Sequence, residues 1–240
     1  MKYSERVYRN RISGNRLPTY RVVVKETDLN ISSDGNLRDI AIESVRRHRN
    51  TLEEYIKIHP EFLTSIVPLF RDNMAPPIIR DMIEAAHDSG VGPMASVAGA
   101  IAEYVGLDLL TFSANIIVEN GGDIFMKIVD RDIRVGIFAG ESPLSYKVVL
   151  KIAPEETPLG ICTSSATVGH SLSFGRADAV CTTSKSTSLA DATATAICNS
   201  VKREGDIKAA LHDASEIKGV LGIVIIAGNK MGAYGNIELV

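Results

Sequence analysis

The chain has 240 residues, 45% of them apolar and 23% charged, and a formal net charge of −3. These are ordinary values for a soluble globular protein, and without a basic surplus no nucleic-acid partner is expected. No run approaches the roughly 18 consecutive apolar residues that a membrane-spanning helix needs, so no membrane partner is expected either.

The N-terminal stretch MKYSERVYRNRISGNR is charged and carries no apolar secretory segment. Cys162, Cys181 and Cys198 fall at irregular spacing and make neither a disulfide framework nor a zinc site. A cytoplasmic, reduced setting is the expectation. No internal repeat or low-complexity linker divides the chain, which is read as one domain over residues 1–240.

Taken in order, Tyr20–Val24 is β-branched and predicts a strand, and Asp34-Gly35-Asn36 predicts a turn. Apolar positions from Leu37 to Ile56 recur at helical spacing, with Pro60 beyond the end. Arg46-Arg47-His48-Arg49 on this helix reads as a solvated face or as an anion contact. Pro76-Pro77 predicts the start of a helix that Gly90 stops. A second, small-residue helix is predicted over Met94–Val105 and closed by Gly106. Strand-like pieces follow at 109–118, 123–129, 133–138 and 146–152, with Gly121-Gly122 and Asp130-Arg131-Asp132 as turns; they read as an antiparallel meander. After a Ser/Thr/Gly-rich stretch come a strand at 179–183, helices at 189–202 and 206–217, and strands at 220–227 and 233–239. The pattern predicts an α+β fold, a largely antiparallel sheet with segregated helices.

The segment from Cys162 to Asn199 is dense in Ser, Thr, Ala and Gly, which form weak cores and can surround a polar ligand. Asp191 and Thr195, four apart on a helix, share one face. With a backbone carbonyl they would suit Mg²⁺; equally, Ser188-x-x-Asp191 resembles a capping box. Gly121-Gly122-Asp123 is a hairpin turn or a bare-backbone ligand seat. His170, flanked by Gly169 and Ser171, reads as a structural hydrogen-bonder or as lining a site. Cys162, beside Thr163-Ser164-Ser165, is the candidate thiolate, against the usual role of free Cys as a small buried residue.

Four elements, in order, resemble the ApbE superfamily, flavin transferases that use FAD and Mg²⁺. They are Gly99-Ala100-Ile101-Ala102, Asn120-Gly121-Gly122-Asp123, Thr163-Ser164, and Ala190-Asp191 with Thr195. The chain is most similar to a subgroup of short, cytoplasmic ApbE-like proteins from archaea and bacteria. The family's Lys-Gly after the Ala-rich element is Glu103-Tyr104 here, and its His-containing turn is reduced to 170–175. The resemblance implies an ApbE-like domain with Mg²⁺ held by Asp191, Thr195 and the Ala100 main-chain oxygen. It implies a flavin or nucleotide, FAD foremost, near Asn120, Gly121, Gly122, Thr163 and Ser164. His170 and Cys162 are the catalytic candidates. The implied reaction is FMN transfer to a protein Ser or Thr, or hydrolysis of the FAD pyrophosphate. A non-catalytic flavin-binding module and a sulfur-assimilation protein working through Cys162 are the alternatives, and a protein acceptor and a homo-oligomer stay open as partners.

Overall fold

The computed structural model describes residues 12–13, 16–167 and 175–240. In chain order they form β1 (Ile12–Ser13), β2 (Thr19–Val24), β3 (Thr27–Ser33), α1 (Arg38–Ile58), α2 (Glu61–Thr64), α3 (Pro77–Ser89) and α4 (Val97–Leu109). Next come β4 (Ile116–Asn120), β5 (Asp123–Lys127), β6 (Ile133–Gly136), β7 (Val149–Ile152), β8 (Leu159–Ser164) and β9 (Ala179–Ser184). The chain ends with α5 (Thr187–Ser200), α6 (Ile207–Glu216), β10 (Val220–Ala227), β11 (Lys230–Gly235) and β12 (Glu238–Leu239).

Eight strands make one antiparallel sheet in the order β11-β10-β9-β8-β5-β4-β3-β2, and β1-β6-β7-β12 make a smaller one. Strand side chains alternate between faces, so the large sheet feeds two cores. Val118 and Phe125 point to a core shared with Val45, Ile79, Met82, Ile101 and Val105 of the helices. Ile117, Met126, Ile161 and Val224 point the other way, onto Val135, Leu150 and Ile152 of the small sheet. The α+β reading therefore stands: the helices lie on one face of a largely antiparallel sheet.

Several boundaries differ from the sequence reading, each for a physical reason. Gly106 does not end α4, which runs on to Leu109. A Cβ at Gly106 would strike the Phe125 ring, so this glycine admits a sheet aromatic against the helix. The strand expected at 109–118 begins only at Ile116, because that helix and its closing turn occupy the first half. The meander is also corrected: β5 pairs with β8, while β6 and β7 leave for the small sheet. β3 and β8 were missed, since TDLNISS and LGICTS carry polar residues that read as loop. Gly90 does stop α3, in the left-handed conformation at φ 71°.

Candidate functional site

The β4–β5 hairpin turns on Gly121 and Gly122, whose φ angles of 70° and 111° favour residues without a Cβ. Asn120 and Asp123 face each other across the turn. The Asn120 Nδ2 donates to the Ala98 carbonyl at 3.0 Å, tying the turn to the start of α4. Gly122 lies against the Thr163 carbonyl of β8, and its N–H donates to Glu119 Oε1 at 2.9 Å. The hairpin, the end of β8 and the first turn of α4 therefore meet at one place.

Helices α4 and α5 close that place by capping each other. A helix start leaves N–H groups without intrahelical partners and favours negative charge. Asp191 of α5 accepts from the Gly99 N–H at 2.8 Å, and the Ala98 N–H also bonds to it. Glu103 of α4 accepts in return from Thr187 N at 2.8 Å and Ser188 N at 3.3 Å, at the start of α5. The helices approach closely because Gly99 has no side chain. A Cβ there would lie 2.6 Å from the Thr187 carbonyl and 2.8 Å from Asp191 Cβ. Asp191 is thus a helix cap, but for its neighbour; its own helix is capped by Ser186, whose side chain accepts from Leu189 N at 3.2 Å.

The electrostatics are unusual. Asp123 and Asp191 are both buried. Burial, and then the Asp191 charge, push the Asp123 carboxyl well above the usual range. Burial pushes Asp191 to about 7 against the pull of the two amides it accepts from. Glu103 is also raised to about 7, chiefly by burial. Among the described residues the groups acting on the two aspartates are carboxylates, a thiol and backbone amides, with no Lys or Arg. A pair of buried acids without a cation is costly unless protonated or given a positive partner.

Cys162 belongs to this cluster. Its Sγ donates to the Thr187 carbonyl at 3.4 Å and the side chain is fully buried. Burial and the nearby Asp123 and Asp191 push the thiol well above its ordinary range. Thiolate chemistry needs the opposite environment, exposed and electropositive. Cys181 and Cys198 are buried as well.

Asn120, Gly121, Gly122, Thr163, Ala100, Asp191 and Cys162 therefore converge, through the contacts just given and the adjacency of Ala100 to Gly99. Thr195 follows Asp191 by one turn of α5 and is half-buried, and Ser164 ends β8. His170 lies outside the described residues. The Arg46–Arg49 run is not a free anion site: Arg47 and His48 pair with Asp108, and Arg49 with Glu26 and Glu53. Two further residues join the candidates: Asp123, read in the sequence only as part of the glycine turn, and Glu103, read only as a departure from the family's Lys-Gly. Each carried a signal: an Asp opening a buried strand and an acid in the middle of an Ala-rich helix, both unfavourable without a purpose.

Among the described residues no three His, Cys, Asp or Glu side chains are grouped to hold a metal. The donor set nonetheless fits Mg²⁺, which takes one or two carboxylates and completes its shell with water and substrate phosphates. Asp191 would supply one carboxylate and Asp123 a second, each pushed by burial toward its protonated form where no cation is present. The Ala100 carbonyl sits inside α4, where its ladder bond leaves a second lone pair. No helix among the described residues is long and apolar enough to cross a membrane.

The chain is similar to known proteins in sequence and in fold. A family model described as "AbpE bacteria" matches residues 9–225. The UPF0280 protein MJ1526 of Methanocaldococcus jannaschii is 44% identical over 228 residues, 92% of each chain. A UPF0280 protein of Methanospirillum hungatei is 49% identical over 178 residues, covering 73% of this chain and 72% of that one. Among solved structures, the Pseudomonas stutzeri flavinyl transferase ApbE superposes with a TM-score of 0.60 at 12% identity, over 91% of this chain and 94% of that one. The ApbE protein of Thermotoga maritima gives 0.56 at 12% identity, over 90% and 96%. At such identities the structural likeness speaks to the fold, and the sequence matches speak to kinship: the chain belongs to the ApbE-like family, among its short UPF0280 members.

Proposed function

We propose that the chain carries out Mg²⁺-assisted chemistry on a flavin or related nucleotide pyrophosphate, either FMN transfer to a protein Ser or Thr or hydrolysis of FAD. The observation that carries this reading is the buried Asp123–Asp191 pair without a cation, set beside the bare backbone of Gly121 and Gly122. The chain's ApbE-like fold and the flavinyl transferase named among its structural neighbours support the choice of ligand.

Asp191, Thr195 and the Ala100 carbonyl would hold the ion, with Asp123 as a further carboxylate. A bound Mg²⁺ supplies Lewis-acid polarisation of a phosphoryl oxygen. The chain's own residues do the rest. The Asn120 bond to Ala98 fixes the glycine turn against α4, so a flat ring or a phosphate can approach the backbone there. The mutual caps hold α4 and α5 in register, which fixes Asp191 relative to the turn. His170 is the proposed proton carrier or phosphate contact. The setting of Cys162 weighs against the sulfur alternative, because a fully buried thiol beside two carboxylates stays protonated.

The test is titration of metal-free protein with FAD, with and without Mg²⁺, followed by flavin fluorescence and product analysis. Mg²⁺-dependent binding that Asp191→Ala abolishes in a folded protein, together with AMP release, supports the reading. Intact FAD retained without Mg²⁺ would point to the non-catalytic flavin module, and no binding in either condition would remove the flavin assignment.

A further inference from the structure

The two sheets part where the chain crosses from the large one at Gly235 to the small one at Glu238. The crossing is fixed. Asn236 N donates to the Leu221 carbonyl at 2.8 Å, and Ile237 sits on bare Gly222, where a Cβ would lie 2.4 Å from its Cγ1. Between this crossing, β7, the start of β8 and the end of β9 lies a cavity of about 260 Å³. Its floor is apolar, made by the buried Leu150, Ile152 and Leu159, and Thr183 adds a buried hydroxyl. Its mouth is charged, with Glu155 and Lys185 exposed there. Leu159 of β8 faces the small sheet whereas Cys162 meets α5, so the cavity lies on the opposite face of the large sheet from Asp191.

The charges that line the cavity differ in what they already hold. Lys151 pairs with Asp132 at 3.3 Å and Glu238 at 3.1 Å, and the Glu156 carboxylate turns back to accept from Ala153 N at 2.6 Å. The Lys185 ammonium donates to the Glu156 and Pro158 carbonyls, which leaves one of its three donors. Among the described residues neither Lys185 nor Glu155 has an ionic partner. What remains is one cation and one anion above an apolar floor. A ligand with a carboxylate alone would answer Lys185 but meet like charge at Glu155, and an amine alone would do the reverse. A molecule that carries both groups on an apolar body matches all three features. The volume sets its size. Drug-sized sites span roughly 300–1,000 Å³, and at roughly 30 Å³ per water this cavity holds about nine. That is the bulk of a single amino acid, not of a nucleotide or a peptide.

From this volume and these charges we infer that the cavity is a second binding site, for a free apolar α-amino acid of the leucine or phenylalanine class. The side chain enters the floor of Leu150, Ile152 and Leu159, the carboxylate meets Lys185 and the ammonium meets Glu155. The inference is independent of the chemistry at Asp191, and its test uses neither Mg²⁺ nor flavin. Isothermal titration of the full chain with L-leucine or L-phenylalanine should show one site per chain. Isocaproate, which is leucine without the ammonium, and isoamylamine, which is leucine without the carboxylate, should bind roughly tenfold or more weakly. Glu155→Gln and Lys185→Met should each weaken L-leucine binding by a similar factor, and an unchanged circular dichroism spectrum verifies that the variants are folded. Glu155 is exposed and its carboxylate has no ionic partner, so its variant carries the test even if Lys185→Met folds poorly. Three results would each overturn the inference. The first is neither binding heat nor a rise in melting temperature with either amino acid up to about 10 mM. The second is equal binding of isocaproate or isoamylamine, and the third is L-leucine binding unchanged in Glu155→Gln or in folded Lys185→Met.

Discussion

Replacing Gly99 by Ala tests whether the contact between α4 and α5 governs the site. In an ordinary helix interior this change stabilises by about 1 kcal/mol, because Ala restricts the unfolded chain and is the better helix former. Here the new Cβ would lie 2.6 Å from the Thr187 carbonyl and 2.8 Å from Asp191 Cβ. Restoring an ordinary contact of about 3.4 Å means moving the two backbones apart by about 0.8 Å. The obstacles are backbone and a Cβ, not the free end of a side chain, so overpacking should cost about 3 kcal/mol. The net expectation is about 2 kcal/mol of destabilisation, or roughly 4–8 °C in melting temperature for a chain of this size. The same displacement pulls Asp191 from the Gly99 N–H, so Mg²⁺-dependent FAD binding should weaken alongside stability. Calorimetric melting with a flavin titration reads both. Gly35→Ala is the control, since nothing lies within 4 Å of its Cβ position and φ is not positive there. A G99A protein that melts at or above the wild-type temperature would refute the close-packed contact.

Asp123→Asn should leave the metal-free protein as stable or more so, because it removes a buried carboxyl already driven toward its neutral form, while weakening Mg²⁺ binding. Isothermal titration with Mg²⁺ beside a denaturant melt separates the two effects, and tighter ion binding in the variant would contradict a carboxylate role. The pH dependence of stability should run against the usual direction for carboxylates. Glu103 is raised from 4.5 to about 7, so its protonated form is favoured by folding. Its contribution is complete below about 4.5 and is lost as pH rises through about 7, on the order of 3 kcal/mol. Asp191, also raised to about 7, acts in the same direction. Metal-free protein should therefore melt lower at pH 8 than at pH 6, by less in Glu103→Gln, and a flat profile would contradict the burial argument. All three thiols are buried, so Ellman's reagent should react with the native protein no faster than global unfolding permits. A Cys162 that labels within seconds would reopen the thiol hypothesis.

The order of elements was readable where a local signal is strong. Pro77 and Gly90 bracket α3, and the Val220–Ala227 run coincides with β10. The four family-like elements likewise single out Asn120, Gly121, Gly122 and Asp191, which the fold brings together at the start of α4. What local pattern could not supply was partnership. β8 became a strand because β5 and β9 flank it on both sides, and no periodicity of its own announces that. Gly106 reads as a stop in one dimension, yet in three it is the space a Phe125 ring occupies. Asp191 reads as a cap for its own helix, but a carboxylate caps whichever unpaired N–H groups it meets, and packing brought it those of α4. Glu103 and Asp123 gained their character the same way. The sequence determines that they are acids, whereas burial beside other acids, a property only the assembled fold possesses, decides how tightly they hold a proton and what ion they can attract.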